Sequence, residues 1–201
     1  MSSEFLPTDM ILLRMQGAQQ SMISGLELHV MANPVNAELR GSIVRRVWAE
    51  HSQTAYVYLA LPHRLSLAKQ TLDALTCPSM PGISLSASRM TLMDSLTGAS
   101  LVRQASFHYV VETTPETGWE LELQRWYAME HLPGLSQTPG CVQAQRFWNH
   151  DEGPRSFACY DLVDEQALAS PEWLAVRQTS WSDRVRPHFT NTIRTMFTIQ
   201  S

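Results

Sequence analysis

The sequence predicts an α+β protein made of two βαββαβ units, each an antiparallel sheet with two helices on one face, at residues 1–100 and 101–201. Three observations lead there. The order strand, helix, strand, strand, helix, strand is legible twice along the chain. Gly41-Ser42-Ile43-Val44-Arg45-Arg46-Val47-Trp48 and Gly140-Cys141-Val142-Gln143-Ala144-Gln145-Arg146-Phe147-Trp148 share a glycine, an extended run and a closing arginine and tryptophan, and His29 precedes the first at nearly the distance at which His131 precedes the second. Finally, 201 residues with 44% hydrophobic and 17% charged content suffice for a sizeable core.

In order along the chain, Met10 to Met15 is an apolar run of strand length, closed by Gly17. Ala18 to Asn33 carries Met22, Ile23, Leu26 and Val30 at helical spacing, and Asn33-Pro34 ends it. Ser42 to Trp48 and Thr54 to Leu61 are strands by their β-branched and aromatic content, with a turn at His51-Ser52-Gln53. Leu65, Ala68, Leu72 and Leu75 have the spacing of an amphipathic helix, which Pro78 and Pro81-Gly82 stop. Ile83 to Met93 supplies a further strand, and Ser95 to Ser100 is a linker around Gly98.

In the second half, Ser106 to Glu112 is a strand. Thr114-Pro115 reads as an N-cap with proline at the first helical position, opening a helix that runs to Leu132 and stops at Pro133-Gly134. Cys141 to Asn149 and Ser156 to Val163 are strands joined by the turn Asp151-Glu152-Gly153-Pro154. A helical region from about Glu165 to Arg177, broken by Pro171 and again by Pro187, leads to a closing strand at Thr195 to Ile199.

Composition narrows the function. The net charge of -4 leaves no electrostatic footprint for nucleic acid across the chain. Cys77, Cys141 and Cys159 are odd in number with no Cys-x-x-Cys, so neither a disulfide framework nor a zinc knuckle is expected, and free thiols fit the cytoplasm. No leader or membrane span is expected. Gly-x-Ser-x-Gly, Walker-type and Gly-x-Gly-x-x-Gly motifs are missing, and the seven histidines form no close pair, so no metal site is predicted. Arg177, Arg184, Arg186, His188 and Arg194 cluster near the C-terminus, an arrangement able to receive an anion but expected to be a solvated face paired with neighbours such as Glu172 and Asp183.

The densest chemistry is in Gln124 to Leu135, where Trp126, Tyr127, Glu130 and His131 crowd the end of the predicted helix, with His131 one turn past Tyr127. A helix C-terminus raises the pKa of an imidazole and burial lowers it, and the sequence leaves that balance open.

Trp126-Tyr127, Glu130-His131-Leu132-Pro133, Pro139-Gly140, Arg146-Phe147, Ala158-x-Tyr160, Ser170-Pro171-x-Trp173, Thr179-x-Trp181-Ser182 and Arg184-Val185-Arg186-Pro187 together resemble the EthD-like members of the dimeric α/β-barrel (ferredoxin-like) superfamily. The resemblance covers roughly residues 106–200; the first half lacks the Trp-Tyr and Glu-His-Leu-Pro elements. It implies two ferredoxin-like units whose sheets pair into an α/β barrel, here within one chain, or a homodimer. Relatives include cofactor-free monooxygenases, isomerases and cyclases acting on aromatic or polyketide-like compounds, haem-dependent peroxidases, and accessory proteins without assigned activity. A catalytic pocket in the second half is expected to be apolar and lined by Trp126, Tyr127, Phe147, Trp148 and Tyr160, with His131 at its edge as general acid/base, Tyr127 or Tyr160 donating to an oxyanion, and Arg146 holding an enolate, phenolate or carboxylate. Arg146 paired with Glu122 or Asp161 is the alternative. The expected partner is a small hydrophobic molecule, with no cofactor, nucleic acid or membrane; a non-catalytic binding or accessory protein is the competing expectation.

Overall fold

The computed structural model describes residues 4–17, 19–76 and 83–200. They form an α+β protein with eight strands, in antiparallel pairs where register is defined. The chain divides into two compact units: residues 1–92 with 149–152 and 197–201, and residues 93–148 with 153–196.

In the first unit, β1 (Leu6–Gln16) lies between β3 (Thr54–Leu67) and the first part of β4 (Ser84–Thr97), and β2 (Ser42–Ala49) borders β3 on its other side. The order β4-β1-β3-β2 is that of a ferredoxin-like βαββαβ unit. The helices α1 (Ile23–Ala32), α2 (Pro34–Leu39) and α3 (Lys69–Leu75) cover one face. Their Ile23, Leu26, Val30, Leu39, Leu72 and Leu75 pack on Ile11, Leu13, Val57 and Leu59 of the strands, all buried. Alternation along each strand selects these residues for the covered face.

In the second unit, β5 (Phe107–Pro115) lies between β7 (Ser156–Leu162) and most of β8 (Phe189–Ile199), and β6 (Cys141–Asn149) borders β7, giving the same order, β8-β5-β7-β6. One face is covered by α4 (Glu120–Trp126), a wide π-type turn at Tyr127–His131, α5 (Leu132–Ser136), α6 (Pro171–Arg177) and α7 (Ser180–Val185). The core there gathers Leu123, Trp126, Tyr127, Leu132, Leu135, Ala144, Tyr160 and Trp173.

Several expected boundaries move, each for a local reason. Pro34 starts α2 instead of only ending α1, because proline is pre-set for the first turn and the Asn33 side chain accepts from the Val35 N–H at 2.9 Å. Leu65 belongs to β3, where Thr8 pairs with Leu65 and Leu6 with Leu67, so sheet pairing overrides the helical spacing and α3 begins only at Lys69. Pro115 ends β5, and the next helix starts at Glu120. Pro133 and Gly134 lie inside α5. Glycine at 134 serves contact with α6: a Cβ there would meet Val176 Cγ1 at 2.8 Å. Pro171 likewise opens α6, with Ser170 Oγ accepting from the Trp173 N–H at 3.2 Å. Cys77 and the expected helix stops at Pro78 and Pro81-Gly82 lie outside the described residues, as do Met1 to Ser3 and Ala18.

Gly98, expected in a linker, is a packing residue. Its N–H donates to the Val142 carbonyl at 2.8 Å, and a Cβ would meet the Cys141 carbonyl oxygen at 2.1 Å. Because the obstacle is backbone, Gly98→Ala is expected to cost about 1–3 kcal/mol, read as a lower urea midpoint at an unchanged m-value. A variant as stable as the parent refutes the close approach.

Candidate active site in the second unit

The helical path from α4 to α5 decides where the histidine goes. In a regular α-helix, residue 131 would sit about 140° around the axis from residue 126. Here the Leu132 N–H reaches the Tyr127 carbonyl five residues back, and the widened turn brings His131 round onto Trp126. Their rings stack with centroids 4.1 Å apart and planes 20° apart, while Tyr127 meets the imidazole edge-on at 5.5 Å. The extra residue also shifts the hydrogen-bond ladder just before Pro133, which has no N–H to give, so the helix passes through the proline.

His131 therefore sits within a continuous helical path and is only 8% exposed. That settles the balance the sequence left open. Burial pushes its pKa down to about 3, the Arg186 and Arg177 charges push the same way, and a backbone hydrogen bond with Val176 opposes them. The imidazole is neutral at physiological pH.

A cavity of about 30 Å³ opens beside it, room for a water or two. Its walls are Trp126, Tyr127, His131 and Leu135 from the helical path, Tyr109 and Val111 from β5, Tyr160 from β7, Trp173 and Arg177 from α6, and Arg186, Phe189 and Arg194 from the chain's last segment. Tyr109 and Tyr160 are register partners on adjacent strands with rings 6.3 Å apart, and Trp173 meets Tyr160 edge-on at 5.2 Å. Three buried polar atoms on these walls have no hydrogen-bond partner: His131 Nδ1, the Tyr160 hydroxyl and Trp126 Nε1. Burial raises the pKa of Tyr160 well above its ordinary value and that of Tyr127 to about 12, so both stay protonated and able to donate. A wider, more open basin of about 440 Å³ adjoins the cavity and shares Arg186, Phe189 and Arg194 with it.

Of the residues expected at the site, His131, Tyr127, Trp126 and Tyr160 line this cavity, and Arg146, Phe147 and Trp148 do not. Strand alternation separates Arg146 from Phe147: Arg146 turns toward the helices, and fully buried Phe147 lies outside the helix-side core. Trp148 is two residues further along β6, roughly 7 Å beyond Arg146. Arg146 is fully buried, with its guanidinium 4.2 Å from the Tyr127 ring centroid. Its Nη2 donates to Ser156 Oγ at 3.1 Å, and its Nη1 pairs with Asp94 at 3.8 Å, too far for a hydrogen bond. Arg146 thus fixes Tyr127 from behind. The carboxylates considered for it are engaged elsewhere, Glu122 by Arg184 and Trp181 and Asp161 by His108.

Sequence reasoning missed Tyr109, Trp173 and Phe189 as cavity walls and misread the arginines. Arg184 does find a carboxylate, Glu122 at 2.7 Å, and His188 finds Glu116 at 2.7 Å. Among the described residues, Arg177, Arg186 and Arg194 form no ion pair, with Glu172, Asp183 or any other carboxylate. No group of His, Cys, Asp and Glu that would hold a metal ion occurs among the described residues. The surroundings of His131 also do not suit an axial ligand to haem iron, because the imidazole lies flat on Trp126 and the space at its edge takes only a small group.

Fold and site together define an α+β protein of ferredoxin-like topology with an aromatic, arginine-rimmed cavity in one unit. No protein-family model and no curated protein matches the chain. Solved structures of the same fold do. A candidate monooxygenase from Fusobacterium nucleatum is similar over 96% of this chain and 93% of its own, with 8% identity and a TM-score of 0.62. An anthrone oxidase-like protein is similar over 96% and 92%, with 13% identity and a TM-score of 0.61. A ferredoxin-fold protein related to antibiotic biosynthesis monooxygenases, from Listeria monocytogenes, is similar over 96% of each chain, with 7% identity and a TM-score of 0.53. At such identities the likeness is one of fold. No helix among the described residues is long and apolar enough to cross a membrane.

Proposed function

We propose that this chain is a small-molecule enzyme of the EthD and antibiotic-monooxygenase type, acting without a cofactor as an oxygenase, isomerase or cyclase on an aromatic or polyketide-like compound. One observation carries the reading: a neutral histidine nitrogen and a protonated tyrosine hydroxyl, both buried and both without a partner, line one aromatic-walled cavity. Buried polar groups are ordinarily satisfied, and unpaired titratable groups sharing a cavity mark a functional site.

The chemistry such a pair supports is proton transfer beside an oxygen. His131 takes the proton from a phenol or from carbon next to a carbonyl, and the Tyr160 hydroxyl donates to the oxyanion that forms. A buried imidazole of low pKa is a weak base in isolation. The transfer, however, creates imidazolium beside an oxyanion, and in a site shielded from water their attraction offsets the burial that holds the imidazole neutral.

The test is turnover of a panel of phenols, anthrones and β-diketones, followed by product formation and oxygen uptake. Uptake distinguishes an oxygenase from an isomerase or cyclase. His131→Ala is expected to lower turnover by about 10²–10⁴-fold with the fold intact by circular dichroism. The small size of the cavity favours one rival, a non-catalytic binding protein, which predicts no turnover and a ligand affinity unmoved by that substitution.

A further inference from the structure

We propose that the ligand of this site is an organic anion, an aromatic carboxylate with a neighbouring hydroxyl or carbonyl, whose carboxylate is held by Arg177, Arg186 and Arg194 while the neighbouring oxygen reaches His131 and Tyr160. The proposal rests on the reading of this cavity as a small-molecule site.

The first support is the distribution of charge along residues 177–194. Five cationic or imidazole groups occur there, and the two that do not line the cavity, Arg184 and His188, are matched to Glu122 and Glu116. The three that line the cavity have no carboxylate within ion-pair reach among the described residues. They come from separate elements, the end of α6, the turn after α7 and the middle of β8, so the fold itself assembles them. They also sense one another. Burial lowers the pKa of Arg186, and the charges of Arg177 and Arg194 lower it further against smaller opposing effects of Tyr127 and Asp183. All three favour the ionised form of the Tyr109 hydroxyl, which burial opposes more strongly. Holding three like charges around one recess costs folding energy that a bound anion recovers.

The second support is the shape. Arg186, Phe189 and Arg194 belong both to the inner cavity of about 30 Å³ and to the outer basin of about 440 Å³. A ring system fits the basin and not the inner cavity, which takes a single hydroxyl or carbonyl. A molecule with its rings against Phe189 and one oxygen beside His131 and Tyr160 must pass the guanidiniums. A carboxylate next to that oxygen meets them there, and guanidinium matches carboxylate in shape as well as charge. The unpartnered His131 Nδ1 and Tyr160 hydroxyl are then the groups that receive the neighbouring oxygen.

The test uses the full chain at neutral pH and about 150 mM salt, with 3-hydroxy-2-naphthoate and its uncharged carboxamide as probes and tryptophan fluorescence as the readout. The acid is expected to bind at least about tenfold more tightly than the amide. Arg186→Gln and Arg194→Gln should each weaken the acid by about tenfold and leave the amide nearly unmoved, while Arg184→Gln changes neither. Arg194 is exposed, so its variant carries the test if Arg186→Gln does not fold. An amide that binds as well as the acid, an acid indifferent to both substitutions, or an equal loss in Arg184→Gln overturns the anion proposal and leaves the small-molecule reading standing. If neither probe binds, both are overturned.

Discussion

Asp151→Asn is expected to cost about 3–5 kcal/mol of folding stability, far more than a turn residue between two strands would suggest. Asp151 and Arg89 have side chains only 5% exposed each. The carboxylate takes three hydrogen bonds from Arg89, from Nη2 at 2.8 Å, Nε at 3.1 Å and the backbone N–H at 2.7 Å. Arg89 Nη1 donates to the carbonyls of Leu67 at 2.8 Å and Glu4 at 2.9 Å. The pair is what ties residues 149–152 into the first unit, along with the His150 N–H on the Arg89 carbonyl at 3.0 Å. Removing the negative partner leaves a guanidinium buried and uncompensated, and that desolvation is the source of the loss. Urea unfolding of Asp151→Asn should show the midpoint falling at constant m-value, and the double variant Arg89→Met with Asp151→Leu should recover much of it. A single variant within 1 kcal/mol of the parent would mean that water reaches the pair.

The strands were legible because their signals are local. Alternation and β-branched or aromatic content place Ser42 to Trp48, Cys141 to Asn149 and Ser156 to Val163 within a residue of β2, β6 and β7. Proline was the weak point, since its effect depends on what the preceding ladder does. At 34 and 171 it opens a helix, at 115 it ends a strand, and at 133 it is carried through a helix because the π-type turn has already shifted the bonds. That same turn hid half of the site. Spacing in steps of 3.6 residues associates His131 with Tyr127, and only the extra residue in the turn stacks it on Trp126. The arginine cluster was visible in composition, yet whether a carboxylate answers each charge is a tertiary fact. Glu122 and Glu116 answer Arg184 and His188 from 62 and 72 residues away. Tyr109 reaches the cavity only through its register with Tyr160, which no single strand reveals.

His131 is expected to dominate acid sensitivity between about pH 6.5 and pH 4. In the unfolded chain the imidazole takes up a proton near pH 6.5; in the folded chain burial, with the Arg186 and Arg177 charges, delays this to about 3. Below pH 6.5 the unfolded state therefore binds more protons, and stability falls as the pH falls, by about 1.4 kcal/mol per unit, or about 3 kcal/mol by pH 4. The buried carboxylate of Asp151 does not confuse this window. Burial alone would raise its pKa, but the Arg89 hydrogen bonds and charge hold it below the usual value, so its contribution stays whole above about pH 4 and is lost only further down. His131→Phe keeps an aromatic ring against Trp126 and removes the titrating group. Subtracting its urea-derived stability from that of the parent should give a flat difference above pH 6.5 and a slope in favour of the variant below it. Parallel profiles would show that the imidazole titrates normally, and the neutral, buried base would go with them. An anion seated on the arginines adds one negative charge, which offsets part of the depression that Arg186 and Arg177 impose on the imidazolium. Bound 3-hydroxy-2-naphthoate should therefore raise the His131 pKa from about 3 and stabilise the parent more at pH 4 than at pH 7, and His131→Phe equally at both. A pH-independent gain in the parent would place the anion out of reach of His131, in the basin alone.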